Sequence, residues 1–372
     1  MIKKRIRKVP LSGPDIKRFE RKKVLKVLKT RHLSGGKNTL AFEKKFAKYI
    51  GVSDAITTNS GTSALHLIVK ALGLKKGDEV ITTPFSFIAS SNCLLMEEVK
   101  PIFVDIDPKT YNMDSNLIEK KITKKTKAIL VVDIFGQPAE MDKILKIAKK
   151  HKLKVIQDSC EALGARQNGK RIGNKAEVSV FAFYPNKQMT TAEGGIILTS
   201  NKKIADLCKS MRNQGRNQQG EWLSYERLGY NYRMNELSAT LGLTQLSRIN
   251  NLLNKRKKIA EKYIKKLKNI PGVSFLHIKP ENKISWFIFP IKVDEKIRDK
   301  IMRYLQKQGI ECQAYFPSIH LESFYQERFK YKKGDFPISE KTSQQLIALP
   351  FYNKLSNKDM NYVVKKVKES LK

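Results

Sequence analysis

Two residues carry the plainest chemistry in this chain. Lys187 follows the apolar run VSVFAF and precedes a Thr-Thr-Ala-Glu-Gly-Gly turn, in the stretch VFAFYPNKQMTTAEGG. A single lysine on a loop at a strand end, in a chain without a metal motif, points to Schiff-base chemistry. Asp158 closes another apolar run, LKVIQD, 29 residues upstream. Alone, either residue reads more readily as a surface lysine or a turn aspartate. As a pair they match what a pyridoxal phosphate site needs. The lysine holds the aldehyde as an imine, and the aspartate keeps the pyridine nitrogen protonated.

Ser60-Gly61-Thr62-Ser63 follows a strand-like run and opens a helical one. Backbone N–H groups at a helix N-terminus, beside a glycine and hydroxyls, form a cup for phosphate. Ser and Thr are also ordinary N-caps. The cup, Asp158 and Lys187 all fall at the carboxyl ends of expected strands, the edge where open α/β sheets bind ligands. Phe85 and Phe87 follow EVITTP; an aromatic beside a strand reads first as a core residue, and the second reading is that one packs in the core while the other lies flat on a cofactor ring.

These residues need a scaffold, and the chain alternates strand and helix patterns from about 30 to 250. Strands are expected from Asp54, Glu79, Pro101, Ala128, Leu153, Val178 and Gly194, several apolar almost throughout. Helices are expected over Thr62 to Leu72, Glu140 to His151 and Lys203 to Arg212. Such alternation implies an α/β fold with a largely parallel sheet between helices. Residues 1–30 read as a basic arm with a helix from Asp15 to Leu28. A helical region from Asn235 to Lys268, ended by Pro271-Gly272, bridges into a smaller α+β unit. There, strands are expected at Val273 to His277 and Ser285 to Val293, with helices at Glu295 to Gln308 and Asn357 to Leu371. The division expected is a large domain over 1–250 and a small C-terminal domain over 251–372.

Length and composition fit this plan: 372 residues, 41% hydrophobic, are enough for two domains with packed cores. The formal net charge of +38 first suggests nucleic acid or an anionic membrane surface. However, the lysines are spread along the whole chain, and no helix-turn-helix, zinc finger or RNP-type motif accompanies them. A nucleic-acid partner is not expected; the charge provides a favourable field for anionic substrates. Cys93, Cys160, Cys208 and Cys312 form no CxxC pair, and the five histidines are isolated. That argues against a zinc site or disulfide scaffold. No apolar run approaches the roughly 18 residues of a bilayer span, and no signal-peptide core follows the basic N-terminus. The expected location is the cytoplasm.

The strings SGTSALHL, GDEVITTPFSFIASSN, PIFVDIDPKTYNMD, VIQDSCEALGA, FAFYPNKQMTTAEGG, LGYNYRMNELSATLG, GDFPISE and ALPFY together resemble the DegT/DnrJ/EryC1/StrS family. These are pyridoxal-phosphate-dependent sugar aminotransferases of fold type I. The resemblance covers nearly the whole chain and implies a mostly parallel seven-stranded sheet in the large domain. It implies that Lys187 bears the cofactor, Asp158 pairs with its pyridinium nitrogen, Gly61 and Thr62 bind its phosphate, and Phe87 stacks on its ring. Glu161 stands near the cofactor's phenolic oxygen, where relatives carry Gln or His. Asn231 resembles an asparagine that reaches the phosphate in the neighbouring subunit, which implies a homodimer with shared sites. Arg233 and His320 fall where relatives contact substrate or shape the pocket.

Two positions depart from the pattern. Ala182 stands where relatives place a phosphate-binding serine, so that bond is missing or supplied elsewhere, with Ser179 as a candidate. An acidic Glu161 beside a phenolate implies a protonated or averted carboxyl. The implied activity is transamination of a nucleotide-linked keto sugar, with L-glutamate as amino donor. Family members with His in place of the lysine act as dehydratases, and Lys187 argues against that branch. A cofactor-binding regulator without turnover and a basic nucleic-acid binder stand as rival functions. The sugar, its nucleotide and the position of the ketone stay open, although TTAEGG resembles members acting on 4-keto sugars.

Overall fold

Seven strands form the main sheet: β1 (Asp54–Thr58), β2 (Glu79–Thr82), β3 (Lys100–Phe103), β4 (Thr126–Val132), β5 (Lys154–Asp158), β6 (Val178–Ala182) and β7 (Gly195–Thr199). The computed structural model describes residues 7–217 and 223–372. Across the sheet the order is β1-β7-β6-β5-β4-β2-β3. β7 runs antiparallel to β1 and β6, and the other neighbours pair in parallel. Six carboxyl ends therefore share one edge. Successive side chains of β4 show the period of two directly. Leu130 and Val132 join one hydrophobic layer, under the helix Gly61–Ala71; Ile129 and Val131 join the other, under the helix Met141–Lys150. Both faces are covered, which is why these strands read as apolar throughout.

Three expected elements in the C-terminal half of the chain shift. The helical region at 235–268 is two helices, Glu236–Leu246 and Ile249–Leu267, with Arg248 outside helical geometry at φ −122. Val273 to His277 is not a strand; only Ser274 forms an isolated bridge, to Lys292. The strand expected from Ser285 shortens to Phe289–Lys292, because Trp286 adopts a left-handed φ of 53 that cannot continue a ladder. Its partner is Leu346–Leu349, from the ALPFY region.

The first six residues of the expected basic arm lie outside the described residues. From Val9 the arm crosses to the C-terminal half, where Val9 N–H donates to the Gly309 carbonyl at 2.8 Å. Its helix begins at Arg18 rather than Asp15. The buried Asp15 instead accepts an ion pair from Lys255 at 2.9 Å, and Glu20 pairs with Arg248 at 2.7 Å.

One buried carboxylate ties the start of the helix Lys37–Ile50 to the helix Glu236–Leu246. Glu236 accepts the N–H groups of Gly36, Asn38 and Thr39 at 3.0, 3.0 and 2.9 Å. These are N–H groups that a helix cannot satisfy itself. Burial alone would raise the Glu236 pKa, but the hydrogen bonds from Thr39, Asn38 and Gly36 outweigh it and hold it below the ordinary value. A depressed carboxylate stabilises the fold above its unfolded pKa, about 4.3. That stability is lost as pH falls through the folded value. Glu236→Gln is therefore expected to lower stability by about 1–3 kcal/mol at pH 7. In parallel melts of both proteins, the gap should narrow as pH drops below about 4. A gap that stays constant down to the acid limit would show that the charge contributes nothing.

Candidate active site

The carboxyl edge of the sheet opens into a cavity of about 720 Å³. Three chain exits supply its chemistry. At the end of β1, Ser60 caps the helix Gly61–Ala71, its Oγ accepting the Ser63 N–H at 3.0 Å. The N–H groups of Gly61 and Thr62 lie in the first turn, where no carbonyl upstream in the helix can reach them. Both residues line the cavity. The approach is tight: a Cβ on Gly61 would meet Ala182 Cβ at 2.8 Å, and a Cβ on Gly195 would meet the Ser60 carbonyl oxygen at 2.4 Å. The reversed strand β7 thus starts directly against the cup, and only glycine allows it.

At the end of β5, Asp158 lies at the cavity, 5% exposed. Its carboxylate accepts the Cys160 N–H at 3.0 Å and the Ser90 hydroxyl at 2.8 Å. Ser90 Oγ in turn lies 2.8 Å from Ser86 Oγ. Beyond β6 the chain turns at Tyr184 and presents Lys187, whose side chain is 12% exposed. Lys187 Nζ lies 3.8 Å from the centroid of the Phe287 ring and 3.9 Å from Glu161 Oε1. Glu161 Oε2 accepts the Phe135 N–H at 2.9 Å. Burial pushes the Glu161 carboxyl up to about 7, against the opposing pull of Lys187 and the Phe135 N–H.

Of the two phenylalanines, Phe85 is fully buried against Phe135 and Phe316, while Phe87 is 59% exposed on the cavity. Lys187, Asp158, Gly61, Thr62, Phe87 and Glu161 thus meet in one space. Asn231 and Arg233 are not among the cavity's lining residues. Asn231 is exposed, its backbone carbonyl accepting from Asn59 Nδ2 at 3.4 Å. Arg233 donates to the Asn213 and Gln214 side chains at 2.7 and 2.5 Å.

His320 requires a correction. It is 0% exposed, packed edge-on against Phe336 at 4.7 Å, with Nε2 3.0 Å from the Glu340 carboxylate. It is a core residue, absent from the cavity's lining, and has no face for substrate. Ser179 is also unsuited to replace the serine absent at Ala182. Ala182 lines the cavity, but Ser179 stands three places earlier on the strand, on the opposite face. Its hydroxyl is buried and donates to the Gly173 carbonyl at 2.6 Å.

The structure adds residues that the motifs do not announce. Ser90 lies four residues past Ser86, and PFSFIASS offers the spacing but not the target. Asn186, Phe287 and Tyr315 also line the cavity. The last two come from C-terminal segments with no local signal. The donor set suits pyridoxal 5'-phosphate: an amine for its aldehyde, a held carboxylate for its ring nitrogen, an exposed aromatic face, and a helix N-terminus for its phosphate.

Comparison with known proteins agrees with this geometry. A Methanocaldococcus jannaschii protein is 40% identical, over 97% of each chain. GDP-perosamine synthase of Escherichia coli O157:H7 is 34% identical, covering 97% of this chain and 98% of that protein. The solved structure of Helicobacter pylori PseC, an aminotransferase involved in the biosynthesis of pseudoaminic acid, superposes with a TM-score of 0.93. It is 32% identical and covers 98% of this chain and 99% of that one. Residues 14–368 match the family's sequence pattern. With Lys187, Asp158 and the helix cup at one sheet edge, the chain belongs to the DegT/DnrJ/EryC1/StrS aminotransferase family.

Proposed function

We propose that this protein is a pyridoxal 5'-phosphate-dependent aminotransferase that converts the ketone of a nucleotide-linked sugar to an amine, with L-glutamate as donor. The convergence of Lys187, Asp158 and the Gly61–Thr62 helix turn on one cavity carries this reading. Family relatives support the substrate class, being named GDP-perosamine synthase and UDP-4-amino-4,6-dideoxy-N-acetyl-beta-L-altrosamine transaminase.

When bound, the cofactor supplies an aldehyde that takes up and hands on the amino nitrogen, and a ring that accepts electrons released from the breaking C–H bond. The first helix turn would hold its phosphate, and Phe87 would cover its ring. Asp158, oriented by Ser90 and the Cys160 N–H, would face the ring nitrogen and keep it cationic. Lys187 Nζ is the group placed to carry the proton, as base and then acid. Glu161, 3.9 Å from it, shares that charge environment.

A second copy of the chain completes the site in this proposal. Among the described residues that line the cavity, Lys187 is the only cation, against the carboxyls of Asp158, Glu161 and Glu193. A cofactor phosphate and a sugar-linked diphosphate need more positive partners than that. Asn231 and Arg233, outside their own chain's cavity, are assigned to the partner's. Leu40 and Leu228 remain 65% and 73% exposed, as residues of an interface would.

Borohydride reduction of the cofactor-loaded protein followed by peptide mapping should place the pyridoxyl label on Lys187. Lys187→Ala should keep the fold and lose turnover by about 10³-fold or more. A label on another lysine would remove the assignment. Glutamate should convert the yellow form to the colourless amine form; a spectrum unmoved by glutamate would exclude it as donor.

Asp158→Asn is expected to bind cofactor yet lose about 10²-fold or more in turnover, because the amide cannot stabilise a cationic ring nitrogen. Near-normal turnover would make Asp158 structural.

Mixing folded but inactive Lys187→Ala and Asn231→Ala chains tests the shared site. One site of each mixed dimer should carry neither defect, and activity should return on subunit exchange. No recovery despite proven exchange would place both residues in one subunit's site.

A further inference from the structure

The guanidinium of Arg256 lies behind the active-site lysine, bonded to carbonyls and to no acidic group among the described residues. Arg256 belongs to the helix Ile249–Leu267 and is 3% exposed. Its Nε donates to the Trp286 carbonyl at 2.8 Å, and its Nη2 to the Phe287 carbonyl at 2.8 Å and the Asn186 carbonyl at 2.9 Å. Burial lowers its pKa to about 10 from the usual 12.5. A cation taken out of water without a counter-ion is costly, and an apolar side chain would fill the space more cheaply. What an apolar side chain cannot do is hold three carbonyls on two separate segments in a fixed geometry.

Those segments converge on Lys187. Asn186 directly precedes it, so the bond to the Asn186 carbonyl fixes the lysine's own peptide unit. Phe287 carries the ring against which Nζ lies, 3.8 Å from the centroid. Its backbone sits in an irregular bend, next to Trp286 at φ 53, outside any ladder. The arginine thus grips both ends of the lysine: the main chain from which it springs and the surface on which its amine rests. We infer that Arg256 is a positioning residue for Lys187, its fork bridging the Asn186 turn and the Phe287 bend so that Nζ is presented to the cofactor aldehyde. A lysine at this position would keep the charge. As a point donor it could not span both segments as the planar fork does.

This inference rests on Lys187 bearing the cofactor, which the label mapping on the unaltered protein tests by itself. The discriminating measurement is the rate at which added pyridoxal 5'-phosphate becomes covalently attached to apoprotein, with loss of water, followed by visible absorbance. It is set beside the Kd for pyridoxamine 5'-phosphate, which has no aldehyde and cannot bond to the lysine. Arg256→Lys, at a temperature where circular dichroism shows it folded, should attach the aldehyde at least about tenfold more slowly. Its Kd for the amine form should change by less than about threefold. Phe287→Leu, which leaves the carbonyls gripped by Arg256 in place, should also slow attachment. Should Arg256→Lys fail to fold, Arg256→Gln, whose amide reaches one of the two segments but not both, decides in its place. Attachment at the unaltered rate in the folded variants would overturn the inference. So would a loss of pyridoxamine 5'-phosphate binding as large as the loss in rate, since the arginine would then support the whole cavity rather than the lysine. If the label lies on Lys187 and the variants behave normally, the functional reading stands and only the role of Arg256 falls.

Discussion

Direction of the strands is the constraint on which the site depends. Six of seven strands run the same way, so six chain exits crowd one edge of the sheet. Three of them deliver the helix cup, Asp158 and Lys187 to a common cavity without any of these residues being close in sequence. The reversed strand β7 fits between β1 and β6 because Gly195 admits the Ser60 carbonyl where a side chain would collide. The same all-buried arrangement demands apolar strands on both faces, which leaves the polar residues to the strand ends.

Crowding carboxyl groups at that edge is costly unless each is answered by donors. Asp158 is held by a serine hydroxyl and a backbone N–H. Asp133, on the neighbouring strand end, accepts Ser159 Oγ, Gln157 Nε2 and the Ala139 N–H at 2.6, 2.9 and 2.9 Å. Burial nevertheless lifts Asp133 to about 6 and Glu161 to about 7. The lysine therefore faces a carboxyl that can hold or release a proton near neutral pH. The C-terminal third closes this arrangement. Phe287 lies under the amine and Tyr315 lines the wall, while Arg256 ties the Phe287 segment to the lysine's turn.

Much of this was legible in the sequence. Several of the main-sheet strands appeared as short apolar runs, because burial on two faces removes the alternation that would otherwise blur the signal. The cup, Asp158, Lys187 and Phe87 were legible because each sits at a strand end, where residue type and local position together state the chemistry. The helical region read over 235–268 gave no sign of the break at Arg248, which pairs with Glu20 in the arm. No local pattern records that contact.

The sequence by itself determined which reactive groups the site holds, since a lysine, an aspartate and a helix cup keep their chemical identities wherever the chain carries them. Tertiary structure alone decided which side chains face the cavity. His320 carries a chemically apt ring, yet packing turned it into the core against Phe336 and Glu340. Ser179 has the right hydroxyl on the wrong face of its strand. Phe287 and Arg256 reached Lys187 from distant positions. The physical reason is the same in each case. Local spacing sets which groups share an element, but the direction of a side chain and its partner across the fold are settled only when layers pack and buried donors find acceptors.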